Sequence, residues 1–178
     1  ITCGGMRFQQ QWTDVPLQEI TPESQANVEA AIRRALDLGM NHIETARGYG
    51  TSERQLGQIL PKLPRDKMII QTKVGPKDDP AEFVRDFEDS MARLKLDHVD
   101  LFALHGLNDR ESLNRGLKCL PAARKLQKQG RCRWVGFSTH GYGQTLLDAV
   151  NHNADGGFDY VNLHWFYFYQ RNWPAVEA

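Results

Sequence analysis

Short apolar runs alternate with helix-like stretches along the whole chain, one pair every roughly 25–30 residues, and no single motif constrains the fold as tightly. The runs are Ile1-Thr2-Cys3, Asn41 to Thr45, Met68 to Val74, His98 to His105, Trp134 to Ser138 and Phe158 to His164. Between them lie stretches with apolar residues at helical spacing. Val28, Ala31, Ile32, Ala35 and Leu36 form one stripe, closed by Gly39; Phe83, Val84, Phe87, Met91 and Leu94 form another, opened by Asp79-Pro80. Shorter stretches follow Thr51-Ser52-Glu53 (stopped by Pro61) and span Leu117 to Gln129 and Gln144 to Asn151, with one more announced by Trp173-Pro174. Strands joined through helices must run parallel, with right-handed crossovers.

A doubly wound sheet and an eight-fold barrel both satisfy that alternation. No glycine-rich phosphate fingerprint opens the first helix, as a dinucleotide-binding doubly wound sheet would want. Instead, polar residues mark the C-terminal end of one strand after another: Glu44, Lys73, His105, Ser138, then Asn162 and His164. In a TIM (β/α)8-type barrel these ends converge on the one face that carries active sites. The expected architecture is therefore a single α/β domain over residues 1–178, an incomplete TIM barrel of about six βα units where closure needs eight strands.

Composition removes several function classes. Lys+Arg and Asp+Glu balance at 22 each, which argues for no nucleic-acid partner. No apolar run approaches the ~18 residues of a membrane span, so no membrane is expected, and no signal peptide is visible. Cys3, Cys119 and Cys132 are odd in number and widely spaced, unlike a disulfide framework or a metal site; they suit a reducing, cytoplasmic setting. The sequence specifies no oligomeric state.

The chemistry gathers around His42-Ile43-Glu44-Thr45-Ala46-Arg47-Gly48-Tyr49-Gly50, a strand broken by a glycine turn. A phenol ionises near pH ~10, and an adjacent ammonium lowers that value. Tyr49 beside Lys73 therefore makes a proton donor, Glu44 would hold Lys73 charged, and His105 could orient a substrate oxygen. Such a set could protonate a carbonyl oxygen while hydride reaches the carbon. No side chain delivers hydride, so a nicotinamide cofactor is implied.

His42-Ile-Glu-Thr-Ala-Arg-Gly-Tyr49-Gly50, Gln71-Thr72-Lys73, Leu104-His105 and Gly136-Phe137-Ser138 resemble, in order and spacing, the aldo-keto reductases. Gly-Gly-Met-Arg-Phe at the first strand and Gly-Phe-Ser-Thr-His at the fifth resemble the family's predicted-oxidoreductase branch. The resemblance implies NADP(H)-dependent reduction of a small-molecule aldehyde or ketone. It implies Tyr49 as proton donor, Lys73 as its pKa-lowering partner and His105 as orienting histidine. Ser138 and Asn162 match positions that usually hold the nicotinamide amide; Met6 and Arg7 lie on a loop that usually touches the cofactor. Two features depart from the family: Glu44 stands where it has aspartate, and its 2′-phosphate site lies on strands seven and eight. The closely spaced cysteines of an iron–sulfur branch are not present either.

Plainer roles compete. Arg47 suits a solvated loop as well as a substrate contact. His42, His140 and His164 suit structural or rim positions, and Trp165-Phe166-Tyr167-Phe168-Tyr169 suits packing more than a lid. Lys73 could instead be a Schiff-base lysine, and Glu44, His105, His140 and His164 could converge on a metal, a pattern weakened by the lack of a His-x-His pair. A cofactor-binding module without turnover is the remaining alternative.

Overall fold

The computed structural model describes every residue except Tyr167 and Tyr169, so the expectation for the aromatic run lies partly outside the described residues. Among the described residues six strands form one sheet in the order β1 Thr2–Gly4, β2 His42–Glu44, β3 Ile69–Val74, β4 Val99–Leu104, β5 Cys132–Thr139 and β6 Tyr160–Leu163. Every neighbouring pair is parallel, and the sheet curls as an incomplete TIM barrel with helices on its outer face. The helices are α1 Pro22–Asp37, α2 Ser52–Leu56, α3 Pro80–Leu94, α4 Arg110–Lys128, α5 Gln144–Val150 and α6 Trp173–Glu177. No described helix is long and apolar enough to cross a membrane.

Side chains alternate across each strand, so residues two apart share a face. Ile43, Ile70, Val74, Phe102, Leu104, Val135 and Phe137 point outward and are buried under the helices. The α3 stripe meets them: Phe102 packs between Phe87, 4.6 Å away between ring centroids, and Phe83, 5.6 Å away. The inward face is the polar one. Glu44 pairs with Gln71, Lys73 with Ala103 and Ser138 with Asn162 in the strand register, which puts the ends of β2 to β6 at one mouth.

Capping explains where the helices begin. Thr21 accepts from the Ser24 amide at 3.2 Å, with Pro22 in the first turn of α1, and Asp79 accepts from Ala81 ahead of Pro80. Helix α4 starts seven residues earlier than its apolar spacing suggests. Asp109 and Ser112 form a reciprocal capping box there, while Leu113 alone carries the apolar stripe of the first turn. Gly116 seats that segment: a Cβ would press on the Leu107 side chain. Helix α2 is a single turn, not a helix reaching Leu60. Gly57 meets the Arg93 backbone so closely that no Cβ fits, so α2 yields to the approach of α3 and ends in a 3-10 turn at Leu60–Lys62.

The Phe83–Phe87–Phe102 cluster gives a direct test of the sheet–helix core. Phe102→Ala should lower the unfolding free energy by about 3–5 kcal/mol in a urea titration, with an unchanged slope. A loss below about 1 kcal/mol would mean that this layer does not carry the core.

Candidate active site

Backbone geometry first places Tyr49. After β2 the Thr45 amide donates to the Gln71 carbonyl and the Arg47 amide to the Lys73 carbonyl, each at 2.9 Å, extending the β2–β3 pairing by two bonds, and the Tyr49 amide turns back to Ala46 at 3.0 Å. Gly50 then takes φ +51°, and a Cβ there would collide with the Gln11 carbonyl. The turn is pinned from beneath. Thr45 and Ser52 share a hydroxyl hydrogen bond of 2.8 Å, and Ser52 donates to the Gly5 carbonyl at 3.0 Å. The Tyr49 ring therefore stands over the end of β3.

There it meets a buried cation. Lys73 is 3% exposed, with Nζ in contact with the Glu44 carboxylate, donating to the Thr45 carbonyl at 2.9 Å and lying 4.7 Å from the Tyr49 ring centroid. Glu44 makes this contact although it is one methylene longer than the aspartate that the resemblance leads one to expect. Burial takes the Lys73 ammonium down from the ordinary lysine range to about 7, and the Glu44 carboxylate acts in the opposite sense, favouring the charged form. The lowering expected of the Tyr49 phenol is opposed by its own burial. The phenol is pushed up, while the ammonium, bound by Glu44 and Thr45, lies 4.7 Å from the ring centroid.

The third wall is His105, whose ring packs edge-on against Tyr49 at 5.6 Å. Burial, the Lys73 charge and then His140 lower its pKa to about 4, so the imidazole is neutral near pH 7. Ser138 sits beside it and accepts from the Gly106 amide at 3.1 Å. Glu44, Tyr49, Lys73, His105, Ser138 and Asn162 line one cavity of about 300 Å3, with Thr139, His140, Leu163 and His164 on its rim. His140 and His164 contact each other at 5.2 Å between ring centroids.

Two expected cofactor contacts, Met6 and Arg7, do not join this wall, and neither does the loop residue Arg47. Met6 and Arg7 lie in a 3-10 turn after β1; Arg7 lines a separate groove with the start of α1. Arg47 leaves the cavity altogether, pairing with Asp89 and, at 3.4 Å, with Asp86 on α3. Two buried residues escaped the sequence analysis. Gln71 reaches across the barrel interior to Asn162, and Glu53 accepts from Thr72 at 2.6 Å behind β3. Only Gln71 had a signal: it lies two residues before Lys73, on the same strand face. Among the described residues no three of His, Cys, Asp and Glu are arranged to hold a metal ion.

A sequence profile of the Aldo/keto reductase family matches residues 1–169. The chain belongs to that family. It is similar to L-galactose dehydrogenase of Arabidopsis thaliana, 33% identical over 126 residues, which cover 66% of this chain and 40% of the relative. It is also similar to 6-dehydroglucose reductase of Novosphingobium aromaticivorans, 36% identical over 96 residues, 45% of this chain and 32% of the relative. The chain thus spans well under half the length of these curated relatives. Among solved structures, a putative aldo-keto reductase from Pseudomonas aeruginosa shares the fold at a TM-score of 0.79 and 24% identity, covering 99% of this chain and 67% of that one. An aldo-keto reductase from Klebsiella pneumoniae, solved in complex with NADPH, matches at a TM-score of 0.63 and 29% identity, covering 76% and 46%.

The charge layout of this aldo-keto reductase is open to spectroscopy. The His105 imidazole should titrate by NMR with a midpoint of about 4. Its folded pKa lies below the unfolded value, so its contribution to stability holds above about pH 6.5 and is lost as pH falls toward 4. Lys73→Met should move the midpoint up, because a facing positive charge is gone. A wild-type midpoint near 6.5 would contradict the arrangement.

Proposed function

We propose that the protein reduces aldehyde or ketone carbonyls with NADPH as hydride source, with Tyr49 as proton donor, Lys73 and Glu44 supporting it and His105 orienting the substrate. One observation carries this conclusion: Tyr49, Lys73 and His105 pack against one another at a single cavity wall. NADPH is preferred over NADH by analogy with the Klebsiella pneumoniae relative and the family resemblance.

The cavity's donor set suits a nicotinamide ring. Ser138 accepts from Gly106 and keeps its hydroxyl proton to give; Asn162 accepts on Oδ1 and keeps its Nδ2 hydrogens. Both could donate to a carboxamide oxygen, and about 300 Å3 is in the range of small-molecule sites. When bound, the reduced cofactor supplies the hydride.

The protein's own residues divide the remaining work. A neutral His105 donates a hydrogen bond to the carbonyl oxygen and orients it; with a pKa of about 4 it is not the acid that charges and discharges near neutrality. The proton comes from the Tyr49 hydroxyl. As it leaves, the Lys73 ammonium stabilises the phenolate, and Glu44 keeps that ammonium charged despite burial.

A second chemistry has one observation in its favour: a lysine drawn down to about 7 could condense with a carbonyl to an imine, losing water. The carboxylate contact opposes it by holding the amine protonated. Borohydride trapping of a substrate on Lys73 would support this route, and strict NADPH dependence would exclude it.

Assays of the native full chain on a panel of aldehydes decide the main proposal. Tyr49→Phe should lower kcat/KM by at least ~100-fold while NADPH still binds. A variant as active as the parent would sink the assignment.

A further inference from the structure

A chain of hydrogen bonds crosses the barrel interior beneath the cavity. Thr2 Oγ1 meets His42 Nδ1 at 2.9 Å, and His42 Nε2 meets Gln71 Oε1 at 3.1 Å. Gln71 Nε2 then donates to Asn162 Oδ1 and, at 3.3 Å, to the Tyr160 hydroxyl. It links β1, β2, β3 and β6, and its last member alone lines the cavity. Gln71 is fully buried, so water cannot satisfy an amide turned the wrong way.

Each link fixes the polarity of the next. An amide oxygen only accepts, so His42 Nε2 must carry its proton. In a neutral imidazole Nδ1 then accepts, and Thr2 must donate to it. Burial favours that neutral form by lowering the His42 pKa. Both Nε2 hydrogens of Gln71 are committed toward β6, so Asn162 turns its oxygen to Gln71 and its Nδ2 hydrogens toward the cavity.

We infer that Gln71 is a positioning residue: through Asn162 it makes this wall a hydrogen-bond donor, which selects a ligand by its carbonyl oxygen and not by an N–H. The inference rests on the proposed nicotinamide site, where that oxygen belongs to the carboxamide. Nothing in the strand register demands glutamine at position 71. The same register would accept an apolar residue there, with Asn162 free to present either end.

The probe pair is NADPH and its 3-acetylpyridine analogue, which keeps the carbonyl oxygen and lacks the amide NH2. Their dissociation constants are measured by fluorescence titration at pH 8 with the native full chain and with Gln71→Glu. The introduced carboxylate can only accept, so Asn162 must turn its NH2 toward it and leave its oxygen facing the ligand. NADPH can answer by rotating its carboxamide; the analogue cannot. The ratio of analogue to NADPH dissociation constants should rise on the order of tenfold in Gln71→Glu. An unchanged ratio, with NADPH bound by both proteins, would overturn the positioning role and leave the reductase assignment standing. Failure of the parent protein to bind either nucleotide would overturn the nicotinamide site and the inference with it. A second measurement needs neither nucleotide nor variant: 15N NMR of His42 should show the Nε2–H tautomer at pH 8. The Nδ1–H tautomer would mean that the chain runs in the reverse direction, and would overturn the inference by itself.

Discussion

An ammonium group held almost entirely out of water, with one carboxylate against it, is the constraint on which the rest of this structure depends. Removing a lone charge from water costs several kcal/mol, on the order of what a whole domain has to spare. Lys73 is tolerated because its surroundings answer it on three sides: the Glu44 carboxylate, the Thr45 carbonyl and the face of Tyr49. All three belong to the segment that ends β2 and turns through Gly50. That segment must therefore close over β3 in one way.

The consequences spread outward from the pair. The positive charge is the second cause, after burial, that keeps His105 neutral, and a neutral imidazole still has one N–H to give to a carbonyl. Parallel pairing is what makes the arrangement available. In-register neighbours put strand ends side by side, so residues far apart in the chain share one mouth without any long loop having to bring them there. The apolar layer lies on the other side of the same strands, and the Phe83–Phe87–Phe102 cluster holds the sheet's curve against α3.

Much of this could be read in the chain itself, for identifiable reasons. Strands announced themselves as apolar runs ending on a polar residue, and the ends that meet at the cavity are Glu44, Lys73, His105, Ser138 and Asn162. Local physics governs those positions, so the expectation transferred to three dimensions. Legibility stopped where distant contacts took over. The early start of α4 depends on an Asp109–Ser112 cap and on Gly116 fitting under Leu107; the shortness of α2 depends on Gly57 meeting Arg93. For Gln71 only the strand face it shares with Lys73 could be read; its partners lie on β6, at the far side of the barrel interior. Met6 and Arg7 stand apart from the cavity because the first turn faces the start of α1. The direction of the Tyr49 shift follows from how deeply the residue is buried, which no spacing specifies.

A double-mutant cycle on the buried pair tests the central claim most directly. Unfolding free energies are measured for Glu44→Gln, Lys73→Met and the two together at neutral pH. Each single change should cost about 3–5 kcal/mol, because it strands a charge or the group that answered it. The double variant should cost no more than the worse single one, giving a coupling of at least about 3 kcal/mol. Costs that simply add, to within about 0.5 kcal/mol, would show that the two residues do not depend on each other and that the site is held by something else.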